Sequence, residues 1–256
     1  MELPIIALIA GLISIYFSAD YFIENSAKIA NIYKIKPLVI GIIILGFGTS
    51  APEMFVSGLA AFKEHPGLSV GNAFGSNIFN IALVLGITAI IKPIKVELKS
   101  IEKEWYFLIA FTIGAGLLLL VDRKLNTYDG YFLVAALVGF LLYTFRVSKK
   151  IDHDFESFPS IGDLSQKWKI WRNLVVSLTI LLVCAQLIVF GGINIAAIYH
   201  VPDVIVGITI VALGTSIPEL AVSITSAFKK QHKMVVGTII GSNIFNTVAV
   251  LAIPAL

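Results

Sequence analysis

Residues 46–53 read GFGTSAPE, and residues 212–219 read ALGTSIPE. The match extends outward in a single register, because residues 37–87 align without a gap onto residues 203–253 at a constant offset of 166 residues. Similarity at one fixed offset is the signature of an internal repeat. We therefore expect the chain to contain the same structural unit twice.

A second pair of matching segments lies in the same register, GNAFGSNIFN at 71–80 and GTIIGSNIFN at 237–246. Each segment carries asparagines, whose amides can coordinate an ion or form hydrogen bonds with a neighbouring helix in a membrane. The asparagines therefore have two possible roles. We predict an ion site for Asn80 and Asn246, and helix packing for Asn77 and Asn243.

The composition predicts an all-α integral membrane protein. Hydrophobic residues form 57% of the chain and charged residues 14%, against about 25% charged residues in a typical soluble domain. So few charges cannot cover a water-exposed surface, which argues against a soluble enzyme. The net charge of +3 is too small to suggest a nucleic-acid partner. The low content of charged residues makes the lipid bilayer the expected surrounding.

Eight hydrophobic segments are long enough to cross a bilayer as helices. Helices are expected because backbone groups inside lipid must form their hydrogen bonds within the same segment. The predicted spans are 3–27, 37–62, 68–91, 104–121, 129–146, 173–198, 203–228 and 234–256.

The basic residues predict the orientation of these spans. If the N-terminus lies outside, 16 of the 19 Lys and Arg residues fall in inward-facing loops, and only Lys63, Arg123 and Lys124 fall outside. Such a bias is the positive-inside pattern of cell-membrane proteins. We therefore predict a multi-pass protein of the plasma or inner membrane, with the loop at 147–171 in the cytoplasm.

The spans divide into two units that run in opposite directions. We predict a first repeat of five spans over 1–146, a cytoplasmic linker over 147–171, and a second repeat of three spans over 172–256. Five spans separate equivalent positions, and an odd number reverses the direction of the chain. Inverted repeats of this kind build transporters with a binding site near the bilayer midplane.

Glu53 and Glu219 lie in the middle of apolar segments at equivalent positions of the two repeats. An ionised carboxylate at that depth costs several kcal/mol unless it is paired or coordinated. Lys and Arg lie almost entirely in loops, so a bound cation is the natural partner. Two facing carboxylates would balance one Ca²⁺ or two Na⁺, and such hard cations prefer oxygen ligands.

Hydroxyl groups surround both glutamates in the sequence. Pro52 and Pro218 lack a backbone N–H and are expected to kink their helices and free a carbonyl one turn upstream. The hydroxyls could coordinate ions, or they could satisfy the backbone of a kinked helix. The hydroxyl residues within one turn of the glutamates are Thr49, Ser50, Thr215 and Ser216.

The doubled GTSAPE/GTSIPE and GSNIFN motifs resemble the two α-repeats of the sodium/calcium exchanger family, within the cation/Ca²⁺ exchanger superfamily. The resemblance covers nearly the whole chain and implies ten helices in two inverted sets of five. The chain would then hold about eight and lack the last two. The ion ligands that it implies are Glu53, Glu219, Thr49, Thr215, Ser50, Ser216, Ser76, Ser242, Asn80 and Asn246, with the backbone carbonyls of Gly46 and Ala212.

The expected function is secondary antiport, in which Na⁺ and Ca²⁺ are the transported ions and exchange by alternating access to one site. No enzymatic activity and no cofactor are expected. Two alternatives use the same residues. One is a Ca²⁺ or other cation/H⁺ antiporter. The other is a truncated, non-transporting cation-binding or assembly subunit, for which a complementary fragment or a second copy would supply the missing helices.

Overall fold

The computed structural model describes residues 2–122, 124–148, 167–200 and 212–256. Apart from a 3₁₀ turn at Leu98–Ser100, the regular structure in these residues consists of helices that are α-helical over most of their length. The first half contains α1 (Glu2–Tyr33), α2 (Pro37–Thr49), α3 (Ala51–Phe62), α4 (Pro66–Ile91), α5 (Glu102–Asp122) and α6 (Thr127–Ser148). The second half contains α7 (Lys167–Ile198), α8 (Ala212–Thr215), α9 (Ile217–Phe228) and α10 (His232–Ala255).

Six of these described helices, α1, α4, α5, α6, α7 and α10, are long and apolar enough to cross a membrane. Helices α2 and α3 form a seventh span with a 43° bend. The predicted all-α membrane fold is therefore confirmed. The predicted span at 203–228 lies partly outside the described residues, which resume at Ala212.

The distribution of side chains is that of a protein surrounded by lipid. Large apolar side chains such as Leu3, Phe55 and Ile90 are exposed, whereas Glu53 and Glu219 are fully buried. A bilayer accepts the apolar exterior, because lipid tails are themselves apolar. The interior can then hold the polar groups that would face water in a soluble protein.

Both glutamate-bearing segments are broken immediately before the glutamate. Ser50 and Ser216 leave the helical conformation, with φ and ψ of −79° and 3° at Ser50 and −91° and 2° at Ser216. Pro52 and Pro218 follow in the first turn of the next helix. Proline fits a first turn but not a helix interior, so the break occurs where the proline kink was predicted.

Three of the long helices contain a π-helical turn. These turns cover Gly41–Gly46 in α2, Asn80–Leu85 in α4 and Asn246–Val250 in α10. Two of them begin at the equivalent asparagines Asn80 and Asn246. A π-turn widens the helix by one residue and is frequent at functional sites. The turns in α4 and α10 begin at the last residue of the two GSNIFN motifs.

Small residues bring α2 and α10 into close contact. A Cβ on Gly41 would lie 2.7 Å from the carbonyl oxygen of Met234, and a Cβ on Gly46 would lie 2.8 Å from the backbone nitrogen of Ser242. Close packing through small residues is a common way to associate helices in membranes. The contact brings the segment before Thr49 against the segment that carries Ser242.

The two longest helices, α1 and α7, pack along each other. Gly11 of α1 lies against Cys184 and Ile188, and Gly191 of α7 lies against Pro4 and Leu8. An ion pair joins α1 to the end of α9, with 2.8 Å between Asp20 Oδ1 and Lys229 Nζ. Helix α1 is therefore connected both to α7 and to the helix that carries Glu219.

Candidate ion-binding site

Glu53 and Glu219 occupy the first turns of α3 and α9, and both are fully buried. Their carboxylates lie close enough to each other to interact electrostatically. None of the four carboxylate oxygens has a hydrogen-bond partner in the described part of the chain. Two buried acids with free lone pairs require neutralisation by a proton or a cation.

The hydroxyls around each glutamate come partly from the opposite repeat. Thr215 and Ser76 lie near the Glu53 carboxylate. Thr49, Ser50 and Ser242 lie near the Glu219 carboxylate. None of these hydroxyls is aligned to form a regular hydrogen bond with the acid it approaches. The arrangement brings neutral oxygens to both carboxylates without satisfying them.

The relation between the two glutamates follows the repeat symmetry. Glu53 is approached by Thr215, and Glu219 is approached by Thr49, which is the equivalent of Thr215. A pseudo-two-fold axis between the repeats produces such reciprocal pairs. Each half of the chain therefore contributes an acid to the centre and a hydroxyl to the acid of the other half.

Two of the predicted hydroxyls already form hydrogen bonds across the α2–α10 contact. Thr49 Oγ1 donates to the carbonyl of Leu45 at 2.9 Å and lies 3.2 Å from Ser242 Oγ. Ser242 Oγ lies 3.2 Å from the carbonyl oxygen of Gly46. The Thr49 hydroxyl therefore satisfies a backbone carbonyl of its own helix, which was the alternative to ion coordination. It also lies beside the two glutamates.

Ser50 and Ser216 differ from Thr49 because their hydroxyls are buried without a hydrogen-bond partner in the described residues. Both stand at the breaks before α3 and α9. A buried hydroxyl with no partner is unfavourable by about 1–3 kcal/mol. These two hydroxyls lack a partner, as the carboxylates do. A bound ion could be that partner.

The asparagine amides divide into bonded and free groups. Asn80 Nδ2 donates to Asn243 Oδ1 at 3.1 Å, and Asn77 Nδ2 donates to Thr247 Oγ1 at 2.8 Å. The Oδ1 atom of Asn80 and both amide atoms of Asn246 are buried without partners in the described residues. Asn77 and Asn243 make the interhelical bonds predicted for them, and Asn80 makes one as well. The Oδ1 atom of Asn77, like those of Asn80 and Asn246, has no partner in the described residues.

The backbone carbonyls predicted as ligands belong to the segments before the two breaks. Gly46 is the last residue of the π-helical turn of α2, and its carbonyl accepts a hydrogen bond from the backbone N–H of Ser50 at 3.2 Å. Ala212 begins α8, next to the part of the chain outside the description. Ser76 lies in α4 and is buried.

Sequence reasoning missed polar residues that support the centre. Asn72 Nδ2 donates to the backbone carbonyl of Glu53 at 3.1 Å and to Ser57 Oγ at 3.0 Å. Asn72 aligns with Thr238, so the presence of a polar residue at this position in both repeats could have identified Asn72 as a candidate. Thr247 aligns with Ile81, and the repeat gives no signal for it.

The family follows from a direct comparison. The model of the family described as "Sodium/calcium exchanger protein" matches residues 3–146 and 170–256. The chain belongs to the sodium/calcium exchanger family. This is a family of membrane exchangers.

Two curated relatives cover almost the whole chain. The putative antiporter CaxA of Alkalimonas amylolytica is 38% identical over 99% of this chain and 80% of its own length. The sodium/calcium exchanger MaX1 of Methanosarcina acetivorans is 26% identical over 97% of this chain and 81% of its own length. A solved structure of the sodium-calcium exchanger NCX_Mj matches 100% of this chain and 83% of its own with a TM-score of 0.87 and 34% identity.

Proposed function

We propose that this chain is a secondary antiporter that exchanges Na⁺ for Ca²⁺ by alternating access to one site. The observation that carries the proposal is the pair of buried carboxylates, Glu53 and Glu219, whose four oxygens have no hydrogen-bond partner in the described residues. No basic side chain in the described residues is paired with either acid. A bound cation would neutralise the negative charge of these two acids.

The two acids together carry a charge of −2 when ionised, which one Ca²⁺ balances. Ca²⁺ takes six to eight oxygen ligands at about 2.3–2.6 Å. The carboxylates can each supply two oxygens, and neutral oxygens surround them. The proposed ligand set is Glu53, Glu219, Thr49, Thr215, Ser50, Ser216, Ser76, Ser242, Asn80 and Asn246, with the carbonyls of Gly46 and Ala212.

Exchange follows if Na⁺ and Ca²⁺ use the same acids. Two Na⁺ ions can neutralise Glu53 and Glu219 as one Ca²⁺ does, but both cations cannot hold the carboxylates at once. The empty site leaves two desolvated acids without a cation or a hydrogen-bond partner in the described residues and is the costly state. The protein therefore changes its exposed side mainly when it is loaded, and a Na⁺ gradient drives Ca²⁺ in the opposite direction.

Alternating access uses the two repeats as bodies that move past each other around the site. We place the repeats at 1–146 and 172–256, with the linker at 147–171. The N-terminus lies outside, the linker lies in the cytoplasm, and the membrane is the plasma or inner membrane. The support for this orientation is the distribution of the basic residues.

The test is Ca²⁺ flux into vesicles containing the purified protein, driven by an outward Na⁺ gradient. We expect Glu53→Gln and Glu219→Gln each to abolish this flux, because each removes a charge that the ion must balance. Glu24→Gln serves as the control, since Glu24 is partly exposed and paired with Lys28 away from the site. Undiminished flux in a folded Glu53→Gln protein would refute the mechanism.

The same vesicles separate Na⁺ from H⁺ as the coupling ion. A pH gradient without Na⁺ should drive no Ca²⁺ uptake, and a Na⁺ gradient without a pH difference should drive it. The opposite result would assign the protein to cation/H⁺ exchange. The two gradients are imposed on one preparation, so differences in protein quality cannot explain the outcome.

A further inference from the structure

A basic cavity of about 380 Å³ lies at the end of the bundle where α2, α5 and α10 begin and α6 ends. The charged residues that line it in the described part of the chain are Lys36, Lys99, Lys103, Lys233, Glu97 and Glu104. Four lysines and two glutamates give the lining a formal charge of +2. The cavity therefore favours an anion and is distinct from the acidic centre around Glu53 and Glu219.

Glu97 and Glu104 do not offset the positive charge of the basic cavity equally. Glu104 is buried and interacts with Lys103 and Lys36. Lys99 is exposed and forms no ion pair within the described residues. An anion entering the cavity would meet an ammonium group at Lys99 whose charge is not already balanced. Ammonium groups on lysine are common ligands of phosphate.

A second cavity of about 470 Å³ adjoins the first, and Lys99 lines both. Its other lining residues are Leu98, Ile101, Glu102, Trp105 and Tyr106. Leu98, Trp105 and Tyr106 are exposed. Tryptophan and tyrosine are enriched where membrane proteins meet the headgroup region. The structure thus joins a basic cavity to an apolar groove lined by aromatic residues of the kind found near lipid headgroups.

We infer that these two cavities together bind an anionic phospholipid, with its phosphate in the basic cavity and an acyl chain along the apolar groove. The phosphate interacts with Lys99 and Lys103, and the chain covers Leu98 and Trp105. Basic pockets between membrane helices are a known type of site for acidic headgroups. A free phosphate would use the basic cavity alone and would leave the apolar groove empty.

Lipid binding here does not depend on ion transport, because the residues that line the two cavities lie outside the ion-binding site. It concerns the end of the bundle at which α2 and α10 begin, and these helices carry Thr49 and Ser242. Binding there would link Lys36 at the start of α2 with Lys233 in the first turn of α10. We therefore expect the lipid to stabilise the contact between these helices.

Trp105 is a built-in reporter of the groove. The other two tryptophans, Trp168 and Trp171, are replaced by phenylalanine, and the protein is placed in phosphatidylcholine vesicles. Phosphatidylglycerol with brominated chains should quench Trp105 several-fold more than brominated phosphatidylcholine at the same content. Equal quenching by the two lipids would overturn the proposal.

Matched charge variants identify the cavity. Lys99→Gln with Lys103→Gln should remove the preference for phosphatidylglycerol, whereas Lys99→Arg with Lys103→Arg should keep it. Lys92→Gln with Lys95→Gln is the control, because these lysines lie in the same loop but line neither cavity. An equal loss of preference in the two glutamine pairs would show a general charge effect and refute the site.

Free phosphate is tested in detergent by thermal unfolding. Phosphatidylglycerol should raise the unfolding temperature of the parent protein, and inorganic phosphate should not. A rise with inorganic phosphate equal to that with the lipid would overturn the assignment to a lipid. The same measurement establishes that each lysine variant is folded before its quenching is interpreted.

Discussion

The side-chain amide of Asn80 donates a hydrogen bond to Oδ1 of Asn243, with 3.1 Å between nitrogen and oxygen. This bond joins α4 of the first half to α10 of the second and leaves the Asn80 oxygen without a partner in the described residues. The donor side of one amide therefore holds the two halves together, while its acceptor side remains available at the ion site.

The Asn80–Asn243 bond predicts a measurable coupling. We expect the double-mutant cycle of Asn80→Ala and Asn243→Ala to give about 0.6 kcal/mol of interaction free energy, the average for polar pairs between membrane helices. The measurement is reversible unfolding in mild detergent. The pair Asn77 and Thr247 provides the comparison, with a bond of 2.8 Å between two residues that are not themselves proposed ligands. Strict additivity at Asn80 and Asn243 would contradict the coupling.

The same substitutions should separate packing from ion binding. Asn80→Ala removes an oxygen proposed as a ligand, so it should weaken Ca²⁺ binding as well as stability. Asn243→Ala should affect mainly stability, because Asn243 Oδ1 already accepts the bond from Asn80. Calorimetric titration with Ca²⁺ measures the difference, and an equal loss of affinity in both variants would place Asn243 among the ligands.

Replacing a central acid should have opposite effects with and without the ion. Glu53→Gln and Glu219→Gln each replace a buried ionisable acid by a neutral amide, so each ion-free variant should unfold at a higher temperature than the parent. Stabilisation by Ca²⁺ should disappear from both. In the parent it should reach about 2.7 kcal/mol when free Ca²⁺ is at roughly 100 times its dissociation constant. Persistence of the full Ca²⁺ effect in either variant would argue against that acid as a ligand.

The glycine contact between α2 and α10 predicts a position-specific loss of stability. Gly41→Ala places a Cβ 2.7 Å from the Met234 carbonyl oxygen and should cost about 1–3 kcal/mol. Gly139→Ala is the control, because Gly139 lies in α6 with no neighbouring atom within 4 Å of its added Cβ. That variant should be unchanged or slightly more stable. Thermal unfolding compares the two, and similar losses would mean that the contact is not tight.

The ion pair between Asp20 and Lys229 predicts a charge-swap rescue. Asp20→Lys or Lys229→Asp alone should lower stability by repulsion, and the double swap should restore most of the loss. Both side chains are about one-third exposed, so the net contribution of the pair should stay below about 1 kcal/mol and weaken in high salt. Additive losses in the double variant would exclude a direct interaction.

The extent of the membrane spans could be predicted closely from the sequence. The ends of the predicted spans at 68–91, 104–121 and 129–146 lie within two residues of the ends of the described helices. The prediction at 3–27 was too short, because α1 continues to Tyr33. Hydrophobicity marks the part of a helix inside lipid, and it does not mark a polar helical extension beyond the bilayer.

The π-helical turns at Asn80 and Asn246 could not be predicted in the same way. They change the backbone without changing composition, and they depend on how each helix packs against its neighbours. The bend before Glu53 was predictable, because Pro52 removes a backbone donor locally. Local chemistry thus predicted the break, while tertiary packing determined the local widening of the helices.

The sequence by itself determined that two equivalent acids lie in apolar segments of a duplicated membrane protein, because composition and register are properties of the chain alone. The tertiary structure decided which groups meet. Thr49 faces Ser242, Asn80 bonds Asn243, and Asn77 bonds Thr247. These pairs depend on how helices far apart in sequence rotate and approach each other. Local sequence patterns determine neither the rotation nor the approach.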